Sequence, residues 1–456
     1  MRASNRPMTA VAVLSLTALA APRSSPAQSE REGGELTLAE AVSRSLETYP
    51  SLAAARAAVT ASQAAVSQAS SDLWPRLQAE ANLTRFQEPM LVAPLHGLDL
   101  TTPPSFNETL MRGDIALSWT LYDGGARGAR IRAARAEAAG TASFRRAVEQ
   151  TLISRVAGVY LEVLAARGVR DAQERRIAAL ESERGRVQQL FDEGRAARVE
   201  LLRVDAALAN ARAEHVATAA RLDLAERELA RLVGGRPDSV RADRLVPVHL
   251  AVEDSLEPRG VLVSRALDAN PELERARTDL AAMEAEQRVA VAAWIPRIGF
   301  FGMYQGFSGA GEDVVTEWQA GANVSYALFT GGERTSAIRA AGARVERARE
   351  ELRLAELETA ERVDRALSSS LEARARVEAV AQAVQHQSEV VRIELLSLQA
   401  GAGTQTDYLR AEADLLHARS ALIEARHAEI AARFELARVL GELTPRWLAE
   451  NVENSR

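Results

Sequence analysis

The chain has no cysteine among its 456 residues, which excludes structural disulfides, thiolate metal sites, a cysteine nucleophile and lipidation at an N-terminal cysteine. Packing alone must hold it. Aromatic residues are few, at 4%. Past the N-terminus no stretch approaches the roughly 18 consecutive apolar residues of a membrane-spanning helix, so any crossing of a membrane would use strands. No charge of one sign dominates. The 56 basic and 62 acidic residues leave a net charge of -6, which fits mixed, solvated faces and argues against a nucleic-acid surface. Alanine, leucine, arginine and glutamate make up much of what is present, and these are good helix formers.

At the N-terminus Arg2 and Arg6 precede an apolar run from Met8 to Ala21, and Ser25-Pro26-Ala27 follows with small residues. The run is shorter than the roughly 20 residues of a span, so residues 1–27 are expected to be a cleaved secretory signal.

The rest of the sequence occurs twice. Tyr49-Pro50 with Leu52 matches Asn270-Pro271 with Leu273, and Trp74-Pro75-Arg76-Leu77 resembles Ile295-Pro296-Arg297-Ile298, at an offset of 221. Beyond that the offset is 207. Leu121-Tyr122-Asp123-Gly124-Gly125 matches Leu328-Phe329-Thr330-Gly331-Gly332, Gly194 matches Gly401, Leu202-Arg203 matches Leu409-Arg410, and Leu232-Val233-Gly234 matches Val439-Leu440-Gly441. The 14-residue difference falls between Arg76 and Leu121, where a loop is expected.

Within each copy, Ala126–Phe191 and Glu333–Leu398 run without proline for 66 residues, about 100 Å if helical. Val377, Val384, Val391 and Leu398 recur every seven residues, and Leu152, Val156, Val159 and Val163 step by four, three and four, the spacing of coiled-coil-like helices. Each long helix ends near a glycine turn, and a helix of about 35 residues returns. Shorter proline-free stretches, Ser51–Trp74 and Glu272–Trp294, would cover the remainder of the long helix. Each half thus reads as one long helix against two stacked shorter ones.

The segments between are different in character. Leu77, Ala79, Ala81 and Leu83 alternate with polar residues, as do Ile115, Leu117, Trp119 and Leu121; Ala320, Ala322, Val324, Tyr326 and Leu328 repeat the pattern in the second half. This is the period of a two-faced sheet. Thirteen of the 20 aromatics lie in residues 74–122 and 294–329, as at the interfaces of a lipid-facing barrel. Four strands cannot close a membrane barrel, so the chain is expected to oligomerise through them. Two copies would give eight strands and three would give twelve. Glu88–Gly113, with Pro89, Pro94, Pro103 and Pro104, is expected to be an exposed loop, and Ser308–Glu317 its shorter counterpart.

In this order and in duplicate, the Asn/Tyr-Pro-x-Leu helix starts, the Gly-Gly junctions and the second tip, Ala400-Gly401-Ala402-Gly403-Thr404-Gln405-Thr406-Asp407-Tyr408-Leu409, resemble the TolC-like outer membrane efflux protein family. The resemblance covers essentially the whole mature sequence. It implies a mainly α protein with a small membrane β-barrel, assembled as a homotrimer with a 12-stranded barrel in outer-membrane lipid and a 12-helix periplasmic α-barrel. It also implies a passive duct without cofactors, docked to a periplasmic adaptor protein and through it to an inner-membrane RND, ABC or MFS transporter. On this reading residues 28–234 are a first repeat, with strands about 77–85 and 115–122, a long helix about 126–191 and a returning helix about 199–234. Residues 235–260 are an equatorial linker. Residues 261–441 are a second repeat, with strands about 298–307 and 318–329, a long helix about 333–398 and a returning helix about 406–441, and 442–456 are a C-terminal tail. Gly124, Gly125, Gly331 and Gly332 are the strand–helix junctions. Gly194, Arg195, Ala196, Gly401, Ala402, Gly403 and Thr404 match the tips that meet the adaptor. Glu200 and Asp407 match positions where acids line the periplasmic aperture; the alternative for both is an acid favoured by the dipole at a helix N-terminus. The chain departs from the family pattern at Arg410, where some members carry a second acid, and at Gly403, where a basic residue is found.

His96, His215, His249, His386, His417 and His427 show no metal-ligand spacing. The Gly-Gly pairs lack the Lys-Ser/Thr of a phosphate loop. A periplasmic adaptor would need barrel and biotinyl-like segments in place of duplicated strand pairs, and a secreted coiled-coil scaffold would leave the aromatic-rich strands unexplained.

Overall fold

In the computed structural model, residues 35–92, 101, 105–250 and 257–454 are described; the expected secretory signal, Pro94, Pro103 and Pro104 lie outside them. The elements in chain order are α1 (Leu38–Thr48), α2 (Pro50–Ser71), β1 (Arg76–Leu91), β2 (Phe106–Tyr122), α3 (Ala126–Asp192), α4 (Arg198–Leu232), β3 (Val248–Leu250), α5 (Arg259–Ala269), α6 (Pro271–Ala292), β4 (Arg297–Gly309), β5 (Val315–Ser325), α7 (Glu333–Gln399), α8 (Gln405–Val439), α9 (Pro445–Asn451) and β6 (Val452–Asn454). No helix among the described residues is long and apolar enough to cross a membrane.

α3 and α7 each hold 67 residues, about 100 Å of continuous helix. Both start directly after a left-handed glycine, Gly125 at φ 86° and Gly332 at φ 86°. Their partners differ by level. Beside the sheet, α3 packs between α2 and α6, and α6 packs on α7; towards the tips α3 packs between α4 and α8, and α8 packs on α7. The helices therefore lie in the order α2–α3–α6–α7 at one level and α4–α3–α8–α7 at the other. α3 is central in both, with 21 buried residues against 8 for α7. The sequence reading paired each long helix only within its own half; the structure adds the seam that α3 makes with α6 and α8.

Where the two levels meet, α1, α9 and the β3–β6 pair gather around α3. Ile153, Val156, Tyr160 and Val163 of α3, Leu229 and Leu232 of α4, Phe434 of α8, and Leu38 and Val42 of α1 form one apolar cluster. Trp447 stands edge-on to Phe434, with ring centroids 5.4 Å apart, a favoured aromatic geometry. Tyr160, fully buried, points its hydroxyl at the carbonyl oxygens of Leu36 and Val246, each 2.7 Å away, and burial drives its phenol pKa well above the ordinary range. That bond ties the entry segment to the stretch between the repeats. Helix α1 was not foreseen, although Thr37 and Glu40 form a reciprocal capping box that Thr37-Leu38-Ala39-Glu40 announces. The segment read as a linker, 235–260, carries β3 and the start of α5, and the tail carries α9 and β6.

The four long strands form one antiparallel sheet in the order β1–β2–β4–β5. Cross-strand partners share a face. The rows Ala79–Ile115–Tyr304–Trp318 and Leu77–Leu117–Gly302–Ala320 lie on one side, and the rows Glu80–Asp114–Gln305–Glu317 and Gln78–Ala116–Met303–Gln319 on the other. One face is apolar and aromatic; the other carries the charged and amide side chains, with Phe301, Met303 and Phe307 among them. The loop expected over Glu88–Gly113 is shorter than read, because β1 continues to Leu91 and β2 starts at Phe106. Pro89 sits where the β1–β2 register shifts, between Arg85 and Met90, an irregularity that tolerates a missing N–H. In the other direction, β5 ends at Ser325, four residues short of the expected end at about 329, and among the described residues no strand lies along its outer edge.

Replacing Tyr160 by Phe removes the hydroxyl from two buried carbonyls, a loss of about 1–3 kcal/mol. We expect a lower midpoint in the thermal unfolding of detergent-solubilised protein followed by circular dichroism; an unchanged midpoint would assign the hydroxyl no stabilising part.

Candidate functional site

The two tips are copies of one turn. In the first, α3 closes with the N–H groups of Arg195 and Ala196 both donating to the carbonyl of Leu190, at 2.8 and 3.1 Å; in the second, those of Ala402 and Gly403 donate to Ser397, at 2.9 and 3.0 Å. Gly194 and Gly401 supply the left-handed residue after the helix, at φ 75° and 76°, a conformation in which a Cβ is strained. Gly403, where the family pattern places a basic residue, packs so closely that a Cβ would lie 2.9 Å from that of Ser397. Arg195 is exposed and pairs only with Glu193, at 3.2 Å.

Thr404 caps α8. Its hydroxyl accepts from the N–H of Asp407 at 3.2 Å and donates to the Asp407 carboxylate at 2.6 Å. Asp407 thus holds a helix N-terminal acid's position, favoured by the dipole, while its side chain remains exposed. Arg410 is exposed on the next turn, and Glu200, half-buried, occupies the corresponding place on the first turn of α4. The tips of the two halves touch: the Arg203 guanidinium donates to the Thr406 hydroxyl at 2.9 Å.

Behind the tips lies a polar cluster that the sequence reading missed. Glu183 of α3 is buried, receives two hydrogen bonds from the Arg186 guanidinium at 2.8 and 2.6 Å, and accepts a third from the Gln405 amide at 2.7 Å. The bond to Glu183 raises the Arg186 pKa further. Beside it, burial pushes the Tyr408 phenol up to about 12, with the Glu412 and Glu183 carboxylates adding to the shift. Arg186 itself is half-exposed, so it is the Glu183 carboxylate that is buried, not the pair. Nothing in a helix full of Glu/Arg pairs at i,i+3 distinguishes this pair; only α8, with Gln405 over it, makes the Glu183 carboxylate interior.

At the other end, the junctions of the two repeats share a turn but differ in chemistry. After β2, Asp123 is buried and accepts from the backbone N–H of Arg127 at 2.9 Å. Arg127 also donates to the carbonyls of Asp72 and Leu121, and Arg130 pairs with Asp72 at 3.1 Å. The counterpart of Arg127, Arg334, instead donates to the Ala327 carbonyl and lies 4.8 Å from the ring centre of Tyr326 and 5.4 Å from that of Trp294, a cation–π arrangement. Trp74, Leu328 and Phe329 stand exposed around these junctions. Among the described residues no group of His, Asp or Glu is placed to hold a metal ion.

This arrangement has relatives. The Protein CyaE of Bordetella pertussis is 29% identical over 319 residues, 66% of this chain and 64% of that protein. The alkaline protease secretion protein AprF of Pseudomonas aeruginosa is 29% identical over 234 residues, 49% of this chain and 48% of that protein. The chain thus matches less than two thirds of either curated relative's length. Among solved structures, the outer membrane protein VceC of Vibrio cholerae superposes with a TM-score of 0.74 at 21% identity, over 89% of this chain and 96% of that one, a likeness of fold. The family model described as Outer membrane efflux protein matches residues 41–235 and 262–442. Both halves being matched, the chain belongs to the outer membrane efflux protein family.

Proposed function

We propose that three copies of this chain form a passive exit duct, seated by its strands in the outer membrane and reaching by its helices across the periplasm. The observation that carries this is the sheet. Its apolar, aromatic face suits lipid, yet β1 and β5 each have one edge without a partner among the described strands, and unpaired backbone in hydrocarbon costs several kcal/mol per group. A closed ring of copies removes both edges. Two copies would give eight strands, a barrel whose interior side chains fill, whereas three give twelve and leave a lumen. The helices fit the same count: four per copy at each level make a 12-helix tunnel continuous with the polar face of the strands.

The duct is a transport protein, not an enzyme, and performs no chemistry; an inner-membrane RND, ABC or MFS transporter supplies the energy. The tips, Gly194–Ala196 and Gly401–Thr404, are the surfaces for a periplasmic adaptor, and their largely exposed turns, built of small residues apart from Arg195, support that reading. AprF is named for secretion of an alkaline protease, which favours an exported protein as cargo over a small molecule. Three copies of Glu200 and Asp407 around the narrow end, and of the Glu80, Asp114 and Glu317 row on the polar face of the strands, would draw cations and repel anions. A secreted coiled-coil scaffold is the competing reading, and it provides no role for a sheet with one apolar face.

Two measurements test this. Alkaline carbonate washing should leave the protein in the membrane pellet, and detergent extraction should release a trimer by native mass; release by carbonate would favour the scaffold. In planar bilayers the wild-type pore should be cation-selective and Asp407→Asn less so; an unchanged reversal potential would remove Asp407 from the aperture.

A further inference from the structure

Arginines along the long helices fall into two groups. Away from the sheet many meet an acid: Arg145 pairs with Glu149, Arg184 with Asp205, Arg347 with Glu351 and Arg392 with Glu389. Beside the sheet four do not. Arg132 and Arg135 of α3, Arg288 of α6 and Arg339 of α7 are exposed, and among the described residues none of them has an acidic partner; Arg339 reaches only the Ser336 hydroxyl, at 3.5 Å. The cause is in the sequence. Acids are absent from residues 51–71, 124–136, 287–296 and 334–345, which lead into and out of the strands. Asp72 and Asp123 are engaged by Arg76, Arg127 and Arg130, and Glu284, one turn from Arg288 on α6, forms no ion pair.

All four share one side of the helices, since residues seven apart fall on one face of a coiled-coil-like helix. Arg132 stands four heptads before Tyr160, whose hydroxyl meets the carbonyls of Leu36 and Val246, and Arg135 four heptads before Val163 of the same apolar cluster. Arg339 stands four heptads before Leu367, which packs on the cluster that α5 makes with α7 and α8. Arg288 follows Arg277 by eleven residues, about three turns, and Arg277 donates to the Leu267 carbonyl of α5 at 2.8 Å. This is the side that carries α1, α5, α9 and the β3–β6 pair. Twelve helices about 10 Å apart enclose a bore of roughly 25–30 Å, too narrow for three such sets of elements, so in the proposed ring this side faces outward.

The four arginines also stand directly under the lipid-facing part of the strands. The apolar face ends on the rows Trp119–Phe300–Ala322 and Ile298–Val324. Arg132 and Arg135 come six and nine residues into α3, Arg339 six into α7 and Arg288 four before the end of α6, all within about 15 Å of the helix ends. A guanidinium on its flexible stem extends that reach, and the headgroup layer of a leaflet is about 5–8 Å thick. We propose that Arg132, Arg135, Arg288 and Arg339 form a collar at the periplasmic rim of the barrel that gathers anionic phospholipid headgroups from the adjoining leaflet. A guanidinium takes a phosphate bidentately, and a surface poor in acids draws a headgroup of net negative charge over a zwitterionic one. The inference rests on the membrane seat proposed above and adds the class of lipid that surrounds it.

Trp74, Trp119, Trp294 and Trp318 stand in or beside the strands, so brominated acyl chains report by fluorescence quenching which lipid lies next to them. The full chain is reconstituted into phosphatidylethanolamine vesicles containing a minor share of phosphatidylglycerol, and only the phosphatidylglycerol is brominated. Wild type should be quenched as though phosphatidylglycerol were enriched about fivefold beside it, and raised sodium chloride should screen the enrichment away. The variant Arg132→Gln/Arg135→Gln/Arg288→Gln/Arg339→Gln should fall to the level of random mixing. Arg175→Gln/Arg221→Gln/Arg353→Gln/Arg376→Gln, which removes as many exposed arginines about 30 Å or more from the sheet, should match wild type; both variants are checked for the wild-type native mass. Random mixing around wild type, or an equal loss in the second variant, overturns the collar. So does inorganic phosphate that abolishes the enrichment where sodium chloride of equal ionic strength does not, since the arginines would then hold the free anion. Inserted protein without enrichment leaves the membrane seat standing, whereas protein that never enters the vesicles sinks the seat and the collar together.

Discussion

In hydrocarbon no water is present to take up a backbone N–H or C=O left unpaired at a sheet edge. The four-stranded sheet has two such edges, β1 and β5, and much of the rest of the molecule is arranged consistently with their closure. The aromatic and aliphatic face of the strands has a use only in lipid, and lipid is tolerable only when the edges are paired. The helices inherit this ordering. α2 and α6 lead into β1 and β4, and α3 and α7 lead out of β2 and β5, so the lateral order of strands and the lateral order of helices are the same order. The described chain has a strand half and a helix half in one lateral order.

Within that order α3 is the organising element. It is flanked on both sides at both levels, while α7 has one flank open, and the difference in burial between two helices of equal length and similar composition follows from position alone. The apolar cluster around Tyr160 sits where the shorter helices meet end to end. At that level α2 and α4 stop and start, so α3 has less cover, and α1, α9 and the β3–β6 pair lie over it. The Glu183–Arg186–Gln405 cluster plays a corresponding part near the tips, holding α3 to α8 through the hydrogen bond from the Gln405 amide to the buried Glu183 carboxylate where the cluster around Tyr160 does so by area.

Most of this architecture was legible because it depends on patterns that survive in one dimension. Two proline-free runs and two glycine turns locate α3, α7 and the tips to within a few residues, and the alternating stretches locate the strands, though β1 and β2 reach six and nine residues further into the expected loop. What was not legible depends on three-dimensional neighbours. Glu183 and Arg186 read like any solvated pair until α8 lies over them. Arg127 and Arg334 are equivalent in sequence but find carboxylates and carbonyls in one repeat and aromatic rings in the other, because Asp72 and Asp123 have Ala293 and Thr330 as counterparts. β5 alternates through Leu328 yet is a strand only to Ser325, since alternation records which face a residue would take and not whether a partner strand is present. The capping box at Thr37 was visible and passed over beside the larger repeat.

The duplication within one chain also has a consequence for how a ring can form. Six separate half-units would need to meet, and their assembly would depend on the sixth power of their concentration. Joining them in pairs makes the seam between α3 and the α6–α8 flank intramolecular, at an effective concentration far above any a secreted chain reaches, and lowers the order to three. It also frees the two halves from having to be identical. The seam inside the chain can use Glu183 with Gln405, whereas the counterpart positions on the open flanks are Val390 and Arg198. In the proposed ring of three copies, covalent linkage would set which of the six joints form with folding and which wait for an encounter.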